Sequence, residues 1–228
     1  MMINFFDSKQ PKNEPLILRD ATDKDGKNLS KLFKETFKET YGDNFSEADL
    51  EQTFGDNFIN KDFIDELSNK KIKYFVIENS NKELIGVVKI RKKDENQHIL
   101  DNSYEQYYLD KLYLLKNYQK QGLSIELLRA AVNWIEQKQT NSATTLDLLV
   151  WDKNPAIKFY SELDWMVIYN ENGTKLTKEF ELNGKKYDDI VMASSVKKLK
   201  EKLEQIPQVP NLLKKIETEN MVIPKSKL

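Results

Sequence analysis

The sequence predicts an α/β (α+β) fold: a central twisted mixed sheet of about seven strands, helices on both faces and a helical C-terminal appendage. Three observations carry this. Residues 107–151 read as a buried strand, a tight polar turn, a long apolar-faced helix and a second strand, a unit whose two strands run parallel with a right-handed crossover. Lys73–Glu78 (KYFVIE) and Leu84–Arg91 (LIGVVKIR) are β-rich runs joined by Asn79-Ser80-Asn81-Lys82-Glu83, a hairpin by length and turn composition. Asn183-Gly184, between Phe180–Leu182 and Tyr187–Val196, marks a second hairpin.

The elements follow in order. Residues 1–15 are polar, contain Pro11 and Pro15, and read as a leader. Leu16–Ala21 is a short strand, and Asp23 and Asp25 supply N-cap chemistry for a helix. The apolar positions of that helix, Leu29, Leu32, Phe33, Thr36 and Phe37, fall on one face. Gly42 and Asn44 break it, and Ser46-Glu47-Ala48-Asp49 resembles a capping box opening a second helix to about Phe54. A third, Asn60–Leu67, has Phe63, Ile64 and Leu67 on one side. After the hairpin comes the strand Tyr107–Leu115. The long helix that follows has two apolar rows, Ile125/Leu128/Val132/Ile135 and Leu123/Leu127/Ala131/Trp134. Thr144–Trp151 is a strand, Asn154 caps a helix with Pro155 at its first position, and Met166–Tyr169 is a strand. Residues 16–196 make one domain. Residues 197–228, rich in Lys and Glu and helical in pattern, form an appendage outside it.

Composition narrows the chemistry. Thirty-six Lys and Arg against 37 Asp and Glu leave a net charge of −1, which gives no electrostatic reason to expect nucleic acid or an acidic membrane as partner. No cysteine means no disulfide, thiolate metal site or cysteine nucleophile, and a single His98 argues against a histidine triad or zinc cluster, so no metal is expected. The N-terminus lacks an apolar signal core and no apolar run approaches a membrane span, which points to the cytoplasm.

The turn between the central strand and the long helix carries Gln119-Lys120-Gln121-Gly122-Leu123-Ser124. A strand entering a helix through such a turn aims free N–H groups and the positive helix end at one point, a place for an anion. The alternative is a solvent-exposed turn with one glycine. Neither a Walker A loop nor a dinucleotide fingerprint is present. By period-two alternation Tyr108, Asp110, Leu112 and Leu114 share one face of the strand before it.

Together these pieces resemble the GNAT superfamily of N-acetyltransferases. Its phosphate-binding motif, Gln/Arg-x-x-Gly-x-Gly/Ala after an apolar-x-apolar strand end, matches Leu112 to Ser124, with Ser124 at the last small position. Its later motif, an Asn shortly before Ala-x-x-Phe-Tyr-x-x-x-Gly-Phe, resembles Asn154 followed by Ala156 to Trp165, with Asp164 at the glycine. The order of elements agrees over residues 16–196. Phe33–Gly42 and Val150–Asn154 look most like the PaiA-type spermidine and spermine acetyltransferases.

The resemblance implies an enzyme, transferring acetyl from acetyl-CoA to a primary amine by direct attack. Gln119, Lys120, Gln121, Gly122, Leu123 and Ser124 would take the diphosphate, Leu112 and Leu114 the pantetheine arm, and Asn154 the opposite side of the cofactor. Tyr160 would protonate the leaving thiolate. An alkylamine of pKa about 10.4 is neutral to only about one part in a thousand at pH 7. Asp110 is therefore the candidate base or water anchor, its alternative being a carboxylate paired with Lys111 or another basic neighbour. Glu39, Tyr41 and Asp43 would attract a cationic acceptor, or form a solvated face. Protein or peptide acetylation, and a non-catalytic acyl-CoA-binding interaction module, are the competing functions. A domain cap, a homodimer interface and a partner surface are the uses open to residues 197–228.

Overall fold

The computed structural model of the chain describes residues 14–41, 46, 51, 63–97, 104–140, 143–182 and 185–216. The second helix expected from Ser46 and the loop holding His98 lie outside them. No helix among these residues is long and apolar enough to cross a membrane.

The first strand, β1 (Leu16–Asp20), leads through a 3-10 turn into α1 (Gly26–Tyr41). Asp25 starts this helix: its carboxylate accepts from the Thr22 N–H at 2.7 Å and from the Thr22 hydroxyl at 3.0 Å. Leu29, Leu32, Phe33 and Thr36 are buried on one face as their spacing requires. Residues 63–68 form α2, burying Phe63 but leaving Ile64 exposed, so the expected apolar side is narrower than its sequence suggests.

The strands β2 (Ile72–Glu78) and β3 (Leu84–Lys92) make the first hairpin. In its turn the Asn79 carboxamide oxygen accepts from the N–H groups of Asn81 and Glu83, and Lys82 takes a positive φ of 63°. The long strand β4 (Glu105–Leu114), the helix α3 (Leu123–Lys138) and β5 (Thr144–Trp151) then form the expected parallel unit. Both apolar rows of α3 are buried, each full-sized side chain contributing about 1.5–3 kcal/mol. The remaining elements are α4 (Ala156–Glu162), β6 (Met166–Val167), β7 (Thr177–Leu182), β8 (Lys185–Ser195), α5 (Val196–Glu204) and β9 (Leu212–Lys215). The strand expected over 166–169 is only two residues long.

Among the described residues the sheet has nine strands, where about seven were expected. Its order is β6-β8-β5-β4-β3-β2-β1-β9, with β7 also paired to β8. All neighbours are antiparallel except β4–β5 and β1–β9. One face carries the core of α3, α4 and α5; the other, smaller core lies under α1 and α2. Gly86 belongs to the close packing beneath α3: a Cβ there would sit 2.7 Å from a methyl of Leu114.

The C-terminal stretch corrects an expectation. It is neither purely helical nor outside the domain, because after α5 the chain pairs Leu212–Lys215 in parallel with Leu16–Arg19. Leu199, Leu203, Val209 and Leu212 are buried in the main core. Sequence periodicity suits α5, but a four-residue edge strand is fixed by a partner almost the whole chain away.

Candidate active site

The turn between β4 and α3 is built as an anion cradle would be. Gly122 caps α3 at φ 79°, ψ −3°, a left-handed geometry that an L side chain resists, and Lys120 before it has φ 56°. The Gly122 carbonyl accepts from Ile125 at 3.0 Å and Glu126 at 3.2 Å, so the helix starts at once. Leu123 and Ser124, its first two residues, have N–H groups with no intrahelical acceptor. The Leu123 side chain is buried while Ser124 is half-buried. Gln119 ties the turn back to the strand through its carboxamide, which donates to the Leu114 carbonyl at 3.0 Å, and Gln121 does the same to Asn117 at 3.0 Å.

Beside this cradle the sheet opens. β4 pairs with β5 only from Glu105 to Tyr108, opposite Thr144 to Asp147, whereas its ladder with β3 runs on to Leu114. Leu115 donates to Ile85 across the β3 side. By ladder alternation Leu114 and Leu112 therefore present their backbone groups to the edge that β5 has left. A strand edge freed in this way can take an extended chain as an added strand.

A bulge re-aims the side chains along that edge. Lys89 faces Lys111 and Ile90 faces Leu109, which leaves Asp110 as the extra residue. Tyr107, Leu109, Leu112 and Leu114 consequently all meet the α3 core. Lys111 lies over the rings of Phe33 and Tyr113 on the α1 side. The expected sharing of one face by Tyr108, Asp110, Leu112 and Leu114 is thus wrong: one inserted residue exchanges the faces beyond it.

Asp110 is engaged. Lys89 reaches it at 2.7 Å and Lys111 at 4.0 Å, while Lys89 also holds Glu66 at 2.6 Å. Burial would push the Asp110 carboxyl up, but Lys111, Lys89 and Arg91 outweigh it and hold it below the usual range. On the neighbouring strand β5, at the last rung before the wedge, Asp147 pairs with Lys93 at 2.6 Å, and neither side chain has appreciable exposure. Sequence reasoning missed this pair. Its signal was a lone carboxylate inside the apolar run Thr144–Trp151.

Tyr108 stands among these charges. Arg91 lies 4.8 Å and Lys93 5.6 Å from its ring. Burial, then Asp110, raises its hydroxyl well above the ordinary value, and Asp147 and Asp189 add to the rise against Arg91. Tyr113, further along β4, is pushed up to about 12 by burial and by Asp110 and Asp189. At the outer end of the wedge Trp151 and Tyr187 meet edge to face at 5.9 Å.

On the other side of the wedge Asn154 accepts from the Ala156 N–H at 2.9 Å, capping α4 as expected. Tyr160 on that helix packs between Phe159 and Trp165, at 5.4 and 5.5 Å. Burial raises its hydroxyl strongly, and the phenols of Tyr113 and Tyr108 raise it further. Asp164 takes φ 62°, supplying the left-handed turn before Trp165 without glycine. The acceptor-side residues are less well placed. Glu39 is exposed and accepts from the Lys116 N–H at 3.0 Å, a contact that fixes the loop after β4. Tyr41 ends α1, and Asp43 lies outside the described residues.

Comparison with known proteins agrees with this geometry. The model of the acetyltransferase (GNAT) family matches residues 29–165. The PaiA N-acetyltransferase of Thermoplasma acidophilum, solved with coenzyme A, superposes with a TM-score of 0.57 at 18% identity, over 79% of this chain and 98% of that one. A Vibrio cholerae spermidine N-acetyltransferase solved with CoA and spermine gives 0.56 at 17% identity, over 81% and 98%. The ribosomal-protein-S18-alanine N-acetyltransferase of Escherichia coli gives 0.52 at 16%, over 79% and 94%. At these identities the likeness is one of fold.

Proposed function

Because the chain belongs to the acetyltransferase (GNAT) family, we propose that it moves an acetyl group from acetyl-CoA to the primary amine of a small cationic acceptor of the polyamine class. The observation that carries the reading is the wedge. A strand edge is free after Tyr108, the left-handed turn at Gly122 ends it, and α4, the helix that carries Tyr160, follows the strand that has parted from it.

The residues present fit the cofactor. The N–H groups of Leu123 and Ser124, with the positive end of α3, suit a diphosphate, and Lys120, Gln121 and Gly122 shape the turn that presents them. Leu112 and Leu114 offer backbone donors and acceptors to an extended pantetheine arm, with Asn154 on the facing side. Acetyl-CoA supplies the acetyl thioester. Backbone N–H groups on the free β4 edge stabilise oxyanion charge at the carbonyl. Tyr160 would give its proton to the leaving sulfur; burial keeps that proton on the resting phenol and at the same time makes it a weaker acid toward a thiolate.

The acceptor arrives as an ammonium and must lose a proton. Asp110 is ionised throughout the working pH range, so it acts best through an ordered water whose orientation it fixes. The test is thiol release over a panel of spermidine, spermine, aminoglycosides and peptides. Turnover of spermidine or spermine above the others is expected. Turnover of peptides alone moves the acceptor to protein, and no binding of acetyl-CoA at millimolar concentration removes it as donor.

A further inference from the structure

The turn proposed to take the diphosphate is fastened at both ends to the C-terminal stretch. Glu126 lies in the first turn of α3, one turn from Gly122, and its side chain is wholly buried. Its carboxylate receives the Arg129 guanidinium, the Val209 N–H at 3.1 Å and the Lys214 ammonium at 2.8 Å. Arg129 turns its other nitrogen to the carbonyls of Leu203, at 2.7 Å, and Ile206, which close α5. On the near side of the turn, Tyr118 donates to the Glu14 carboxylate at 2.8 Å. The Glu14 carbonyl accepts from Asn211 at 2.8 Å, just before β9 zips onto β1.

A buried carboxylate at this place is costly unless paired. It also sets its negative charge one turn from the point where an anion would dock. Arg129 and Lys214 together more than cancel it, leaving a surplus of one positive charge beside the turn. Lys214 belongs to β9, so the C-terminal strand supplies part of the field at the helix start. Nothing in this arrangement touches the amine side of the wedge.

We infer that residues 205–216 are a clasp on the diphosphate turn, with Glu126 the positioning residue that couples the two through Arg129 and Lys214. The inference rests on the reading that this turn binds CoA. It assigns the C-terminal extension a part in cofactor recognition rather than in acceptor choice.

The test uses the full chain and two variants, Lys214→Met at a partly exposed position and Glu126→Gln, which keeps the shape of the buried group. Affinity for CoA is measured by calorimetry, and affinity for pantetheine, which lacks the diphosphate, by ligand-observed NMR. Lys214→Met is expected to bind CoA about threefold more weakly or worse, the scale of one charge near a helix terminus, with pantetheine unchanged. Glu126→Gln makes the surroundings of the turn one charge more positive, which by charge alone would raise the ratio of CoA to pantetheine affinity; as the loss of the positioning residue it is expected to lower that ratio, and a raised ratio overturns the coupling role of Glu126. Equal affinities in wild type and Lys214→Met, or equal losses for both ligands, overturn the clasp while leaving the cofactor reading intact. A wild-type protein that does not bind CoA overturns both.

Discussion

The Lys93 ammonium lies 2.6 Å from the Asp147 carboxylate at the last rung that joins β4 to β5, with both side chains out of reach of solvent. Burial opposes both charges, pushing Asp147 up and Lys93 down, and each partner offsets part of the other's shift. Removing one partner leaves an uncompensated charge, so Asp147→Leu or Lys93→Met is expected to cost about 3–5 kcal/mol. The double replacement by Leu and Met is expected to recover most of that. Urea unfolding of the three variants measures it, and additive losses in the double variant count against the pairing.

Asp25 gives a pH-dependent prediction. Burial would raise its carboxyl, but hydrogen bonds from Arg19 at 2.8 Å and from the Thr22 N–H hold it below the ordinary value of 3.8. A lowered folded value means that the unfolded chain takes up the proton first as pH falls. The stabilisation is therefore present above about pH 4 and is lost as pH drops through the folded value. Asp25→Asn is expected to flatten the acid limb of melting temperature against pH, with little change in its slope above pH 6.

Tyr160→Phe removes the proposed proton donor and leaves the ring contacts with Phe159 and Trp165. A fall in kcat of about a hundredfold is expected, with the KM for acetyl-CoA little altered. Single-turnover measurements keep the comparison on the chemical step; full turnover by the variant rules out the acid role.

Lys89→Met frees Asp110 from its nearest cation while burial persists. The Asp110 pKa then rises, and the acid limb of kcat/KM moves to higher pH. Asp110→Asn is expected to depress kcat/KM across the whole range without such a shift. A Lys89→Met profile that overlays the wild type places Asp110 outside proton handling.

Much of the frame was legible before any coordinates. β-rich runs marked β2, β3 and β5, the two apolar rows of α3 marked its buried side, and Asn154-Pro155 marked the start of α4. The turn at Gly122 was legible because glycine there has a conformational reason. The side-chain map of β4 was not. An extra residue at Asp110 has no signature in composition, yet it decides which side chains meet α3. Nor does Leu212-Leu213-Lys214-Lys215, in a tail rich in lysine, reveal a strand whose partner is Leu16–Arg19. The salt bridges at Glu126 and Asp147 join residues far apart in sequence, and periodicity sees only neighbours.

The pairing of β9 with β1 also orders events in time. The first strand of the domain waits at the sheet edge until the last one has been made, because its parallel neighbour lies almost a full chain length downstream. Closing so long a loop is entropically slow, while the β2–β3 hairpin and the β4–α3–β5 unit form from nearby partners. On the ribosome α3 therefore leaves the exit tunnel with Glu126 still lacking its Lys214 partner. The turn reaches its final form only once residues 209–214 have followed it out.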